Sequence, residues 1–289
     1  MKNQIRLIFG RDLKGILKAV YTAASLLFVP GSRPDRFPKA KAAGAGLTVI
    51  DLEDAVAAED KESARAAALA HVAEGPEGWG IRINAVTTLA GVRDLAVLGD
   101  ADVLPSVLMV PMVETAAELD VVAGVLGERC PDLVPLVETP RGLRHALEIV
   151  SHPKVSSLML GGADFSSELG VELAWDPLLG ARHAMVLACA EAGKPAIDVP
   201  YIHLDDEEGF ATECTRAAAL GFLCKAVIHP RQVPHANAAF APSEEEIAEA
   251  REALDAYKAG GERAIRFKGK MLEAPFVKKY KAVLARAGN

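Results

Sequence analysis

Cysteine is scarce and poorly spaced for chemistry: Cys130, Cys189, Cys214 and Cys224 lie scattered through 289 residues. With no C-x-x-C pair, neither a thiolate zinc site nor a disulfide framework is signalled, and a reducing cytoplasm is the expected setting. No apolar run is continuous enough for a membrane span or for the core of a secretory signal. Positive charge is also short. The net charge of -7 and the pI near 5.6 exclude a general nucleic-acid binder, which needs a basic excess to neutralise phosphates. An anionic ligand must therefore be met by local Arg and Lys. Finally, no G-x-G-x-x-G or Walker A loop is present, so nothing points to a nucleotide-binding open sheet.

What is present is an ordinary globular composition, 51% hydrophobic and 25% charged, in a chain long enough for one large domain with an appendage. Residues 1–24 form a basic, roughly amphipathic leader, read as a helix packed on the domain or as a mitochondrial-type presequence, which would place the protein in the matrix. From Ser25 a beat of short apolar run, turn and Ala-rich helix sets in. The runs are Leu26–Val29, Leu47–Ile50, Trp79–Ile83, Val107–Val110, Val134–Val137, Leu158–Leu160, Pro195–Val199 and Lys225–Ile228. Helix formers fill Lys61–Val72, Ala116–Leu126, Leu143–Val150, Leu178–Ala192 and Gly209–Ala219. Such alternation predicts an α/β fold, a (β/α)8 TIM barrel over residues 25–241, with residues 242–289 as a helical lid. Ser243 and Glu246 form a capping box at the start of that appendage, and Gly260-Gly261 stops its first helix.

A parallel barrel places chemistry at the C-terminal ends of its strands. Two runs end in this way on a carboxylate beside Gly or Pro: Leu133 to Glu138, followed by Thr139-Pro140, and Ser157 to Gly161, followed by Gly162-Ala163-Asp164. Two such tips can hold one cation. The alternative for each acid alone is a helix cap or a partner for turn amides. Asp51, Glu53 and Asp54 make a further acidic tip, and Arg82 ends a strand where an apolar side chain is the rule. The guanidinium can serve a substrate or simply pair with those three acids.

Phe28-Val29-Pro30-Gly31, Asp51-Leu52-Glu53-Asp54-Ala55-Val56, Arg82-Ile83-Asn84, Val137-Glu138-Thr139, Gly161-Gly162-Ala163-Asp164 and Gly221 through Pro230 occur in order. Together they resemble the citrate lyase beta subunit-like family of acyl-CoA lyases, which includes malyl-CoA and citramalyl-CoA lyases. Val103-Leu104-Pro105-Ser106 and Ala196-Ile197-Asp198 are most similar to the citramalyl-CoA branch. The resemblance implies Mg²⁺, with Mn²⁺ as a substitute, on Glu138 and Asp164. It implies Arg82 facing substrate, Asp198 contacting substrate, and Asp51, Glu53 and Asp54 orienting Arg82 and metal-bound waters. Coenzyme A enters as part of the substrate, and Arg33, Arg36, Lys39 and Lys41 are the local cations expected to meet it. Glu273, in Gly269-Lys270-Met271-Leu272-Glu273-Ala274-Pro275, fills a slot where the family usually has Asp. It is expected to protonate the enolate from a tail that covers a neighbouring subunit, which implies a homotrimer or a hexamer. A second departure is Pro111-Met112-Val113, where many members have Pro-Lys-Val. His229 before Pro230 is read as structural.

The activity implied is cleavage or formation of a C–C bond in a 3-hydroxyacyl-CoA, giving acetyl-CoA and a 2-oxo acid such as pyruvate or glyoxylate. A thioesterase on the same scaffold, a citrate lyase subunit acting on an acyl-carrier protein, and a non-catalytic assembly protein are the competing readings.

Overall fold

The computed structural model describes residues 23–287, so the basic leader lies almost wholly outside the described residues. Contacts divide the chain into two compact units, one running to Phe240 and one starting at Ala241.

The first unit is a closed barrel of eight strands paired in sequence order. These are β1 (Ser25–Pro30), β2 (Leu47–Asp51), β3 (Trp79–Arg82), β4 (Val107–Val110), β5 (Asp132–Val137), β6 (Leu158–Leu160), β7 (Ala196–Asp198) and β8 (Cys224–Val227). Every pairing is parallel, and β8 closes onto β1 through Leu26 opposite Ala226. Period-two alternation then assigns each side chain to the barrel interior or to the layer under the helices. Leu26, Leu47, Val49, Val107, Met109, Leu136, Met159 and Ile197 fill the interior. Leu27, Ile50, Ile81, Leu108, Val110, Val137, Leu158 and Ala196 pack outward beneath the helices. Both faces are covered, which is why the strands read as continuous apolar runs.

Between strands lie α1 (Phe37–Ala42), α2 (Lys61–Glu74), α3 (Leu89–Asp100), α4 (Ala116–Leu126), α5 (Pro140–Arg144), α6 (Ala146–Ser151), α7 (Gly162–Leu169), α8 (Trp175–Ala192), α9 (Glu207–Leu220) and α10 (Gln232–Phe240). Local chemistry sets their starts: Thr88 and Thr139 accept the Gly91 and Gly142 amides, and Thr115 with Glu118 forms a capping box. The helix expected over Leu143–Val150 is two short ones instead. The chain breaks at His145 (φ −99, ψ 10), whose Nδ1 lies 2.8 Å from the Glu114 carbonyl oxygen.

The second unit carries α11 (Glu244–Ala259), a hairpin of β9 (Ile265–Phe267) and β10 (Lys270–Leu272), and α12 (Ala274–Arg286). The expected capping box of Ser243 and Glu246 opens α11. The hairpin, which the sequence does not announce, turns on Lys268 (φ 44) and Gly269 (φ 80), the left-handed pair that a tight two-residue turn requires. Ala253, Leu272 and Val277 form the small core, joined by Tyr257, Ile265 and Phe267.

Candidate active site

The interior parity of β1, β2, β3, β5 and β6 delivers Phe28, Asp51, Arg82, Glu138 and Gly161 to one mouth of the barrel. There a cavity of about 380 Å³ is lined by Asp51, Asp54, Arg82, Glu138 and Asp164 on its polar side and by Phe28, Leu136, Met159, Leu173, Ile202 and Ile228 on its apolar side. The two carboxylates expected to share a cation thus line the same cavity.

Arg82 is the hub. Its Nε and Nη2 donate to the two oxygens of Asp51, each at 2.7 Å, in a bidentate fork. Its Nη1 lies 2.8 Å from Glu53 Oε2 and 3.4 Å from Asp54 Oδ2, and its face sits 5.0 Å from the Phe28 ring centroid. Burial works against the charge, but the hydrogen bond to Asp51 and the charges of Asp51, Glu53 and Asp54 hold the guanidinium above its ordinary range. Asp51 also accepts the Glu53 and Ala55 amides at 3.0 and 3.2 Å, so both of its oxygens are taken up by backbone and Arg82. Glu53 Oε2 is buried without an aligned hydrogen bond, and burial pushes its carboxyl up to about 9 despite Arg82.

Glu138 is 2% exposed, and its Oε2 accepts the Met112 amide at 2.7 Å. Met112 donates from a left-handed backbone (φ 55), unusual for a side chain of its size. Burial raises the Glu138 carboxyl to about 7 against the pull of the Met112 amide and Arg82, with Asp164 pushing further up. Asp164, in the first turn of α7, is raised by burial and then by Asp54. Neither acid caps a helix: Thr139 caps α5, and no side-chain cap closes α7. Gly161 is required here, because a Cβ on it would collide with Cγ and Oε1 of Glu138.

Four acids line the cavity against one guanidinium already held by Asp51, Glu53 and Asp54. Glu138 and Asp164 make no ion pair among the described residues, and burial strains both toward protonation. A divalent cation relieves that imbalance. An all-oxygen donor set suits a hard ion such as Mg²⁺, which takes one or two carboxylates and completes its shell with water and substrate oxygens. Among the described residues no group of three or more His, Cys, Asp or Glu forms a fuller cage.

Asp198 does not reach the cavity, contrary to its expected substrate contact. Ile197 points into the barrel, so alternation turns Asp198 outward, where it is fully buried. Its oxygens accept Arg182 Nε at 2.8 Å and Lys225 Nζ at 2.6 Å, and Lys225 Nζ also bonds Glu213 Oε1 at 2.6 Å. Burial favours the neutral acid, but Lys225 and Arg182 hold the Asp198 carboxyl below its ordinary value. This quartet was not visible as a unit in the sequence.

Arg33, Arg36 and Lys39 are exposed and outside the cavity lining, and Arg33 is forked onto Asp35 at 2.8 Å. Lys41 Nζ donates to the Glu77 carbonyl at 3.0 Å, also away from the cavity. Burial and the charges of Arg231 and Lys39 lower the His229 imidazole, whose Nδ1 accepts the Arg231 amide at 3.1 Å. Glu273 lies in the second unit, half-buried at the N-cap of α12 with no side-chain cap bond.

Residues 24–230 match the family model described as HpcH/HpaI aldolase/citrate lyase. The chain belongs to that family. A model for C–C bond lyases of the TIM-barrel fold matches residues 181–288, so the family member described here is a carbon–carbon lyase. The L-malyl-CoA/beta-methylmalyl-CoA lyase of Cereibacter sphaeroides is 34% identical over 90% of this chain and 93% of its own. The citrate lyase subunit beta-like protein of Mycobacterium tuberculosis is 36% identical over 91% and 95%. Among solved structures, protein CitE from Mycobacterium tuberculosis, in complex with magnesium, acetoacetate and coenzyme A, superposes with TM-score 0.77 at 34% identity. That superposition covers 92% of this chain and 98% of CitE. No helix among the described residues is long and apolar enough to cross a membrane.

Proposed function

We propose that the chain is a Mg²⁺-dependent acyl-CoA lyase that cleaves, or in reverse forms, the C2–C3 bond of a 3-hydroxyacyl-CoA such as citramalyl-CoA or malyl-CoA. The observation that carries this reading is the pair Glu138 and Asp164 lining one cavity, without an ion-pair partner among the described residues, together with a guanidinium fixed in place by Asp51. The 34% identical malyl-CoA lyase and the magnesium and coenzyme A bound by CitE support it.

Glu138 and Asp164 would hold the ion, whose Lewis acidity serves the hydroxyl and carboxylate oxygens of a 2-hydroxy acid. Asp51 is saturated by donors and Glu53 tends to keep its proton, which leaves Asp54 to take the hydroxyl proton. As the C–C bond breaks, its electron pair becomes the acetyl-CoA enolate, and the remaining carbon becomes the carbonyl of the 2-oxo acid. Arg82 stabilises the enolate oxygen, held rigid so that little reorganisation accompanies the charge shift. Glu273 supplies the proton that completes acetyl-CoA. Arg33, Arg36 and Lys39 are the cations offered to the coenzyme A phosphates. The resemblance further supports a trimeric assembly in which the tail of one subunit closes over the next.

Incubation with Mg²⁺ and a panel of citramalyl-, malyl- and methylmalyl-CoA, with products read by mass spectrometry, tests the reading. The expected products are acetyl-CoA or propionyl-CoA plus a 2-oxo acid, abolished by EDTA. Free CoA with an intact hydroxy acid would mark a thioesterase instead. Glu273→Gln is expected to lower turnover while leaving pyruvate and CoA affinity nearly unchanged.

A further inference from the structure

We infer that Lys61, a residue outside the main cavity, is a positioning residue for the reaction: it holds the loop after β2 so that Glu53 and Asp54 keep the Arg82 guanidinium on its aim. The inference rests on the lyase reading above and deepens it.

Lys61 is the first residue of α2, where a positive side chain works against the helix dipole and an acid is the usual choice. Its ammonium is turned instead onto the preceding loop. Nζ donates to the Leu52 carbonyl at 2.8 Å and to the Glu53 carbonyl at 2.6 Å, two charge-assisted bonds to successive peptide units.

The guanidinium has two supports, and they differ. Its root is built into the barrel, because the Leu52 amide bonds the Arg82 carbonyl at 2.9 Å. Two residues on, Asp94 Oδ2 accepts the backbone and side-chain amides of Asn84 at 2.8 and 2.7 Å, while Arg65 Nε fastens Asp94 Oδ1 at 2.6 Å. Its head depends on the loop. Asp51 sits on the strand, but Glu53 and Asp54, which face Nη1 at 2.8 and 3.4 Å, belong to the segment that leaves the sheet at Leu52. Within that segment the Glu53 and Ala55 amides fold onto Asp51, and the Val56 amide onto the Glu53 carbonyl. Lys61 ties it from outside. Arg65 lies one turn further along the same face of α2, so a single helix fastens the loop that carries Glu53 and Asp54 and, through Asp94, the segment that follows Arg82.

A cavity of about 440 Å³ is lined by Lys61 together with Glu53, Asp54, Asn84 and Asp164, so packed side chains do not wedge the loop on that side. Loss of the ammonium leaves two carbonyls facing water in place of a fixed donor, and Arg82 inherits the freedom the loop gains. A displacement of about 1 Å at a reacting centre costs on the order of 100-fold in rate.

The test is a double-mutant cycle in kcat on the acyl-CoA that the wild type turns over, using Lys61→Met, Arg82→Lys and the pair. Lys61→Met keeps most of the stem and removes the donors. It is expected to lower kcat about 10- to 100-fold, with KM and Mn²⁺ affinity changed by less than about threefold. In the Arg82→Lys background the same change should cost less than about threefold, because the fork it positions is gone. Unchanged kcat in Lys61→Met, or losses that multiply in the pair, would overturn the inference while leaving the lyase reading intact. A matching fall in Mn²⁺ affinity would overturn it too, by placing the effect at the ion. Chemical rescue supplies a second readout: ethylammonium, entering the cavity of Lys61→Ala, is expected to recover kcat severalfold, and tetramethylammonium, which has no N–H to donate, to leave it unchanged. Equal effects of the two cations would contradict the donor role. A wild type that turns over none of the acyl-CoA panel would overturn the lyase reading, and the inference with it.

Discussion

At the scale of single residues, the site depends on two side chains that others hold still. Gly161 leaves the space that the Glu138 carboxylate occupies, while its own backbone, outside the left-handed region (φ −88), would accept alanine without strain. Gly161→Ala therefore moves Glu138 without otherwise disturbing the barrel. Mg²⁺ affinity should fall about 10- to 100-fold, as when a ligand loses its support, with circular dichroism unchanged. Arg82 is held by a fork that only a guanidinium can complete. Arg82→Lys should lower kcat about 10²- to 10³-fold, the range for losing one aligned donor at a developing oxyanion, which steady-state kinetics on the acyl-CoA would show.

At the scale of elements, β7, β8, α8 and α9 are tied by Arg182, Asp198, Lys225 and Glu213 beneath the helices. Removing one partner of a buried charge set strands another, so Lys225→Met should cost about 3–5 kcal/mol in urea unfolding. The Asp198 carboxyl is lower in the folded state than its ordinary value of 3.8, so the folded state binds fewer protons there than the unfolded one. Its stabilising contribution is complete above that ordinary value and is lost as pH falls through the depressed folded one. Asp198→Asn should accordingly lower stability at neutral pH and flatten its acid limb, as read by urea titrations between pH 3 and 7. Asp198 also shows where sequence reading stops short. Its place at a strand end was legible, and so, in principle, was its outward direction, because Ile197 beside it belongs to the interior. What could not be read was company: Arg182 and Lys225 lie 16 and 27 residues away, and only the folded barrel brings them together. The eight strands were legible because burial on both faces writes an unbroken apolar run. The β9–β10 hairpin was not, because Lys268, Lys270 and an exposed Met271 interrupt any alternation. Met112 stood out in the sequence for its side chain, but its service to Glu138 was not legible, because it runs through the backbone amide, which no side-chain pattern records.

At the scale of the whole molecule, a chain of net charge -7 concentrates uncompensated acid at one barrel mouth and so links its stability to a cation. An ion that binds only the folded state stabilises it by mass action, about 2.7 kcal/mol at a hundredfold excess over Kd. The melting temperature should rise with Mg²⁺ concentration and return to baseline with EDTA. The most direct measurement is titration of Mn²⁺ into the purified protein, followed by electron paramagnetic resonance, for the wild type and for the Glu138→Gln/Asp164→Asn pair. One ion per chain bound by the wild type and displaced by Mg²⁺, with binding lost in the double variant, is the expected result. Equal binding by both proteins would contradict the assignment of the metal to these two acids.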